Sequence, residues 1–184
     1  ILFVLSGNIS TTPRAVKNIL TARQKHQVFI IKTNRHPVWD KMDQEWLARY
    51  KLHAEAVSLA RKPFGAWLKA TLLNKAAKAV WPFGAGNVGQ IAFASQKVSV
   101  LLAFKVMAFQ NIDLVIGQGG GALYPACAYA RKHRIPFAFD VEDYHPGEHM
   151  HGPKGREKWR REDLLRNLLP GAAYVSYASP LIGK

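Results

Sequence analysis

The chain has 184 residues, enough for one α/β domain with a core of its own and short for two. Hydrophobic residues make up 48% of it and charged residues 21%, a composition that excludes an intrinsically disordered chain. Its net charge of +14 indicates an anionic partner, which is a nucleic acid, an acidic membrane surface or a phosphorylated substrate.

The start of the chain predicts a βαβ unit. Ile1–Ser6 is a run of mostly apolar residues, typical of a buried parallel strand. Thr12 and Pro13 then suit the N-cap and first position of a helix that ends near Gln24. Gln27–Lys32 is a second strand, and the crossover between two such strands is right-handed.

The middle of the chain is less regular. Thr33–Lys51 mixes aromatic and charged residues and receives no assignment, and His53–Leu59 fits a third strand. Two helices are predicted over Phe64–Trp81 and Val88–Gln110, separated by Pro82–Gly86. The second helix is apolar on most sides, so we expect it to pack against the sheet, and its polar residues argue against a membrane span.

The last third returns to a regular alternation of strands and helices. The predicted elements are strands Ile112–Ile116, Pro136–Asp140 and Ala173–Ala178, a helix after Gly117–Gly121 that ends on Arg131–Arg134, and a charged helix Gly155–Leu169. Strands that alternate with helices throughout predict an α/β fold with a doubly wound, mostly parallel, Rossmann-like sheet.

In such a sheet the site lies at the carboxyl ends of the strands, where the strand order reverses. We expect that point between Ser6 and Ile116, next to the loops Gly7–Thr12 and Gly117–Gly121 and the loop after Asp140. The loop Gly117–Gly121 leaves backbone amides free at a helix start, which suits an anion or sugar hydroxyls.

A nucleotide-dependent oxidoreductase is one alternative for this glycine-rich loop. Gly117, Gly119 and Ala122 match the G-x-G-x-x-A form of the dinucleotide fingerprint, but after the fourth strand rather than the first. Asp140 is then the acidic residue at the end of the next strand. A second alternative is purely structural, because glycines also serve a tight strand-to-helix turn.

The loop after Asp140 holds the richest set of reactive side chains. Glu142, Asp143 and His145 follow the strand end, where acidic residues bind hydroxyls or act as a general base and a histidine moves protons near neutral pH. The alternative is a solvated loop in which Asp140 or Asp143 caps nearby amides.

The same segment contains the inverted zinc-protease pattern His145-x-x-Glu148-His149. That pattern requires a helix that presents both histidines on one face. Pro146 and Gly147 disfavour a helix there. We therefore predict no metal site.

Several short motifs resemble those of family 4-like glycosyltransferases, and together they span nearly the whole chain. The matching segments are Pro13–Val16 in the first helix, Asp113–Gln118 followed by Ala122-Leu123 at the fourth strand, Pro136–Asp140 with Glu142-Asp143 at the fifth, and Tyr174–Ser179 at the last. The resemblance implies a GT-B fold, in which two Rossmann-like domains face each other across a cleft.

On this resemblance residues 1–184 form a single Rossmann-like, acceptor-side domain, and the donor-binding C-terminal domain is absent. Ser179-Pro180 suits the start of a further helix, which favours a truncated chain. The implied function is transfer of a sugar from a nucleotide-sugar donor to a glycan or lipid-linked acceptor. The donor is expected to bind the missing C-terminal domain, so no cofactor is predicted in this one and the fragment alone is predicted to be inactive.

The candidate catalytic residues are Glu142, Asp143 and His145. The sequence departs from the family here, because Glu142 stands where a histidine is often found, and whether Glu142 or His145 takes the catalytic role stays open. Candidate substrate-binding residues come from the three loops and the first helix: Gly7, Asn8, Thr11, Arg14, Gln118, Gly119, Gly120 and Tyr144.

The distribution of charge adds an expected partner. No acidic residue occurs between Glu55 and Asp113, and Phe64–Trp81 combines bulky apolar residues with Lys69, Lys75 and Lys78. A basic amphipathic helix of this kind lies on an anionic membrane surface, and the alternative is a helix whose apolar face packs on the sheet.

A basic nucleic-acid-binding module is the other class that the charge suggests, but no known binding motif occurs, which disfavours nucleic acid. The one cysteine, Cys127, excludes an intrachain disulfide and favours a reducing compartment. We therefore predict a cytoplasmic protein, peripheral on the inner face of the membrane if the basic helix binds lipid.

Overall fold

A six-stranded parallel sheet forms the centre of the computed structural model, which describes residues 1–61, 63–80, 87–143, 145–147 and 154–179. The strands lie in the order β3-β2-β1-β4-β5-β6, and every neighbouring pair is parallel. Their bounds are β1 Leu2–Leu5, β2 Phe29–Asn34, β3 Ala54–Ser58, β4 Val115–Gln118, β5 Phe137–Val141 and β6 Tyr174–Tyr177. This order confirms the predicted doubly wound α/β fold.

Helices cover both faces of the sheet. Their bounds are α1 Pro13–Ala22, α2 Pro37–Arg49, α3 Phe64–Val80, α4 Val88–Ser95, α5 Lys97–Val106, α6 Gly120–His133 and α7 Lys154–Leu168. None of the helices within the described ranges is both long and apolar enough to cross a bilayer.

The central strand β1 is buried on both faces, which explains its continuous apolar sequence. Its side chains alternate between the two faces. Phe3 and Leu5 join the smaller hydrophobic cluster with residues of α1 and α2. Leu2 and Val4 join the larger one, which is built with α4, α5, α6 and α7.

Helix α2 lies within the stretch that received no sequence assignment. Pro37 begins it, and the ring nitrogen Nδ1 of His36 accepts a hydrogen bond from the backbone N–H of Val38 at 3.3 Å. Its bulky residues Val38 and Met42 are exposed, while Asp43 is fully buried. The inward apolar stripe of this helix is therefore short, because Trp46 and Leu47 pack on the smaller hydrophobic cluster while Asp43 takes the inward position one turn before them.

The predicted helix Val88–Gln110 is instead two helices, α4 and α5, which is a correction. The chain breaks at Gln96, whose backbone is extended at φ −139° and ψ 126°. The carbonyl of Gln96 then accepts from the N–H of Ser99 at 3.0 Å and starts the second helix. Both helices are largely buried, as expected, because their apolar residues face the core from two directions.

The turn from β4 into α6 brings backbone very close to β1. Gly119 has a φ of +77°, and Gly121 lies where a Cβ would be 2.4 Å from Cγ1 of Val98. Pro125 inside α6 has no N–H to offer the carbonyl of Gly121, and the hydroxyl of Ser99 donates to that carbonyl at 2.9 Å instead. This packing fixes the start of α6 against β1.

Replacing Gly121 by alanine should therefore destabilise the fold. The added Cβ meets Val98, whose β-branched side chain cannot turn away, so we expect the free energy of unfolding to fall by about 1–3 kcal/mol. Gly65→Ala is the matched control, because Gly65 is also the second residue of a helix and has no atom near its Cβ position. Urea denaturation measures both, and an equal stability of the two variants would contradict the packing described.

Candidate functional site

A cleft of about 450 Å³ opens at the carboxyl ends of β1 and β4, where the strand order reverses. Such switch points are where α/β sheets bind ligands. The described lining comes from all three predicted loops and from α2, the α4–α5 break and α7: Leu5, Ser6, Gly7, Thr11, Thr12, Arg35, Trp39, Gln96, Gln118, Gly119, Gly120, Glu142 and Arg161.

The side-chain amide of Gln118 joins the ends of β4 and β5. Its Nε2 donates to Oδ2 of Asp140 at 3.0 Å and to Oε1 of Glu142 at 2.9 Å. Gln118 is only 2% exposed, so both donors of the amide are used in a setting where an unpaired donor would be costly. The amide thereby holds the two carboxylates in fixed positions.

Asp140 is a buried carboxylate with partners from three elements. It accepts from Gln118, from the hydroxyl of Ser176 on β6, and from the guanidinium of Arg14 on α1, with which it forms an ion pair. These contacts compensate the cost of burying its charge. Because its oxygens are engaged within the chain, Asp140 is poorly placed to bind the ribose of a dinucleotide.

Glu142 is half-buried and lines the cleft. Burial raises the pKa of its carboxyl above the ordinary value, and the charges of Asp140 and Asp143 act in the same direction. The hydrogen bond from Gln118 and the charge of Arg14 oppose this shift without reversing it. A carboxyl in a cleft with a raised pKa is a candidate general base.

A buried polar cluster holds the loop that follows β1. Asp43 of α2 accepts from Nδ2 of Asn8 at 2.9 Å and from the backbone N–H groups of Ile9 and Ser10 at 3.2 and 2.7 Å. Nζ of Lys32, on β2, lies 2.7 Å from the same carboxylate. The cluster thereby attaches the cleft loop to α2 and β2.

The pKa of Asp43 is lowered although burial acts to raise it. The hydrogen bond and charge of Lys32, together with hydrogen bonds from Ser10 and Asn8, outweigh the desolvation of the carboxylate. No sequence pattern indicates this residue, because an aspartate in an irregular polar stretch is usually solvated. Asp43 stabilises the site without touching it.

Two arginines give the cleft a positive side. Arg35 donates from Nε and Nη2 to the carbonyl of Ser6 at 3.0 and 2.7 Å. Arg161 of α7 is 7% exposed, and its Nε lies 3.5 Å from Oε1 of Glu157. Across the described lining Glu142 is the one acidic residue, so the cleft presents a carboxyl group opposite two fixed cations.

Most of the predicted substrate-binding residues lie in this cleft, namely Gly7, Thr11, Gln118, Gly119 and Gly120. Asn8 lies elsewhere, because it is fully buried in the cluster around Asp43. Arg14 also lies elsewhere, because Asp140 draws its guanidinium into a separate groove between α1 and β5. Neither side chain faces the cleft as the sequence led us to expect.

Of the three catalytic candidates, Glu142 is the one that lines the cleft within the described residues. Asp143 is exposed and contributes its charge to the shift in Glu142. His145 begins a single 3-10 turn, His145–Gly147, and its side chain, like Tyr144, lies outside the described residues.

The zinc-protease pattern is only partly covered by the structure. Glu148, His149 and His151 lie outside the described residues. Trp81, at the end of a predicted helix, and Pro180, in the predicted helix start after Ser179, also lie outside them. In the described part of the chain no group of metal-ligating side chains comes together.

Sequence reasoning missed Arg35, Trp39, Gln96 and Arg161 as cleft residues. Arg35 directly follows β2, whose carboxyl end lies at the same edge of the sheet as the cleft. Its position after a strand could therefore have indicated a cleft residue. Gln96 and Arg161 come from helices far away in the chain, and no local pattern marks them.

The structure is a Rossmann-like α/β fold with a cleft at its switch point. No protein-family model and no curated protein matches the chain. Among solved structures it is similar to a UDP-GlcNAc 2-epimerase from Neisseria meningitidis, bound to UDP-GlcNAc, at 15% sequence identity and a TM-score of 0.45. That alignment covers 92% of this chain and 43% of the other, so the chain spans less than half the length of that protein.

The ion pair at Asp43 leads to a stability prediction. Asp43→Asn should lower the free energy of unfolding at neutral pH by about 3 kcal/mol, because buried Lys32 then keeps only the more distant carboxylate of Asp40, 3.8 Å away. Asp113→Asn, at an exposed position, is the control and should change stability by less than about 0.5 kcal/mol.

The sign of the pH dependence follows from the lowered pKa. The stabilisation from Asp43 is present above the pKa of an unfolded aspartate, about 3.9, and is lost as the pH falls through the lower folded value. Urea midpoints of the wild-type chain and the variant should therefore converge in acid. A constant difference down to the acid limit would contradict the ionised pair.

Proposed function

We propose that this chain is the acceptor-binding domain of a GT-B, family 4-like glycosyltransferase, which moves a sugar from a nucleotide-sugar donor to a glycan or lipid-linked acceptor. The observation that carries the proposal is Glu142, a carboxyl of raised pKa held by Gln118 at the mouth of the switch-point cleft. Gln118 and Glu142 lie in segments that resemble motifs of the glycosyltransferase family, but both positions depart from it: Gly117-Gln118-Gly119 replaces a histidine-rich strand ending, and Glu142 stands where a histidine is often found.

The proposed chemistry begins with an acceptor hydroxyl in the cleft. Glu142 accepts the proton of that hydroxyl. The hydroxyl oxygen attacks the anomeric carbon of the donor, and the bond between that carbon and the nucleoside diphosphate breaks. A carboxyl with a raised pKa is a stronger base than an ordinary one, which improves proton transfer near neutral pH. The donor is expected to bind a second domain that would lie across the cleft.

The remaining cleft residues suit a sugar-like acceptor. Trp39 lies at the rim with 42% of its surface exposed, where a ring can pack against the apolar face of a sugar. Backbone groups at Gly119 and Gly120 and the hydroxyls of Thr11 and Thr12 offer hydrogen bonds to sugar hydroxyls. Arg35 and Arg161 favour an acceptor that also carries negative charge.

Binding of glycans to the chain is the direct test of the proposal. We expect a glycan array to identify at least one ligand, and Trp39→Ala to weaken its binding about tenfold, a loss typical of an anchor side chain. Trp159→Ala is the matched control, because Trp159 is 69% exposed on α7 and is not among the described cleft residues. Isothermal titration measures all three chains.

Three results would count against an acceptor domain. They are no glycan binding at millimolar concentration, saturable binding of NAD, and binding of DNA or RNA that weakens steeply with salt and is unaffected by Trp39→Ala. NAD binding would support the oxidoreductase alternative, and the salt-sensitive binding would support a nucleic-acid module.

Glu142 also makes a separate prediction about stability. Because its folded pKa is raised, the folded chain is penalised once the pH rises above the ordinary pKa of a glutamate, about 4.3. Glu142→Gln keeps the hydrogen bond from Gln118 and removes the charge, so it should raise the urea midpoint at neutral pH and leave it unchanged in acid. Glu45→Gln, exposed on α2, is the control, and a destabilised Glu142→Gln would contradict the assigned environment.

A further inference from the structure

Helix α3 packs with its small residues inward and its bulky residues outward. The two buried residues of the helix are Ala70 and Ala77, and Asn74 donates to backbone carbonyls of α4. Phe64 is 60% exposed and Leu72 58%. The helix therefore attaches to α4 and α5, where Leu73 is partly buried against the larger hydrophobic cluster, while Phe64 and Leu72 stay exposed.

The exposed apolar residues of α3 form one stripe. Phe64, Leu68 and Leu72 are spaced four residues apart and so lie on the same side of the helix. Leu68 is 37% exposed. Beside this stripe lies Phe104 of α5, which is 49% exposed and has Nζ of Lys69 3.9 Å above its ring centre. We call these four residues the α3 face.

Lysines flank the α3 face on both sides. Lys69 lies on the side of Phe104, Lys75 continues the line of the stripe after Leu72, and Lys78 lies on the other side of the stripe. From residue 56 to residue 112 the sequence contains no acidic residue. The surface thus combines an apolar centre with an uncompensated positive border.

We propose that the α3 face is a docking surface for an anionic lipid bilayer, on which α3 lies in the plane of the interface. An interfacial helix inserts its apolar side chains among the acyl chains while its lysines contact anionic headgroups. Charge complementarity favours this occupant over a second copy of the chain, because two α3 faces would bring their lysines together. The apolar stripe favours it over nucleic acid, whose phosphates would leave Phe64, Leu68 and Leu72 without a partner.

The position of α3 connects this surface to the cleft. Nζ of Lys97 lies 5.1 Å from the ring centre of Trp67 on α3, and the neighbouring residue Gln96 lines the cleft. A bilayer on the α3 face would therefore bring the cleft close to the lipid headgroups. The inference does not rest on glycosyl transfer, because it depends on exposure and charge alone.

Vesicle cosedimentation tests the proposal with the whole chain. We expect binding to vesicles of equal parts phosphatidylglycerol and phosphatidylcholine, weaker binding as salt rises, and little binding to phosphatidylcholine alone. Lys69→Glu with Lys75→Glu should weaken binding at least tenfold, since one basic residue near an anionic surface strengthens it about fivefold. Lys17→Glu with Lys41→Glu, exposed on α1 and α2, is the control for net charge.

A second pair of variants tests the apolar stripe. Leu68→Ser with Leu72→Ser should weaken vesicle binding at least tenfold and leave the urea midpoint nearly unchanged, because both side chains are exposed. Val38→Ser with Met42→Ser removes equally exposed apolar residues from α2 and should leave binding unchanged.

Several outcomes would overturn the docking surface. Equal binding to neutral vesicles would remove the role of charge, and absence of binding to anionic vesicles would end the proposal. Self-association that is lost in Leu68→Ser with Leu72→Ser would assign the surface to a second copy, and loss of DNA binding in the lysine variants without vesicle binding would assign it to nucleic acid. Glycan binding by the Leu68→Ser with Leu72→Ser chain should be unchanged, so failure of this proposal is distinct from failure of the cleft function.

Discussion

The contact between Gln118 and its two carboxylates sets the geometry of the whole carboxyl edge of the sheet. One amide has two donors, and here they bind Asp140 and Glu142. Asp140 gains further partners on α1 and β6 and so becomes a structural residue. Glu142 has no such set of partners, and burial, together with the charges of Asp140 and Asp143, raises the pKa of its carboxyl. The same amide thus holds one carboxylate within the fold and another at the cleft.

On the other side of the cleft, the loop after β1 is held by the buried carboxylate of Asp43, whose electrostatic surroundings differ from those of Glu142. Asp43 receives a cation and several hydrogen-bond donors, so its ionised form is favoured, whereas burial dominates at Glu142. Under the proposed function a fixed frame suits a general base, because the base must stay in place while its charge changes.

The sequence predicted the sheet well because buried parallel strands appear as short apolar runs, as in β1, and all six strands were found within a few residues. Helix α2 was not predicted, since Val38 and Met42 face solvent and the inward side is limited to Asp43, Trp46 and Leu47. The break at Gln96 was not predicted because both flanking helices are mostly apolar and largely buried. Within the site, residues after strand ends, such as Gln118 and Glu142, were predictable from topology. Arg161 was not, because only tertiary packing brings α7 to the cleft.

The sequence pattern of helix α3 is compatible with two different surroundings. Apolar residues interspersed with lysines fit either a helix packed on the sheet or one lying on a membrane, because both need an apolar stripe. In the structure the small residues Ala70 and Ala77 are buried and let α3 approach α4 and α5 closely, while Phe64 and Leu72 stay exposed. The exposure of these apolar side chains carries no free-energy cost when the apolar interior of a bilayer covers them. The lysines on both borders of the stripe favour an anionic bilayer as that phase.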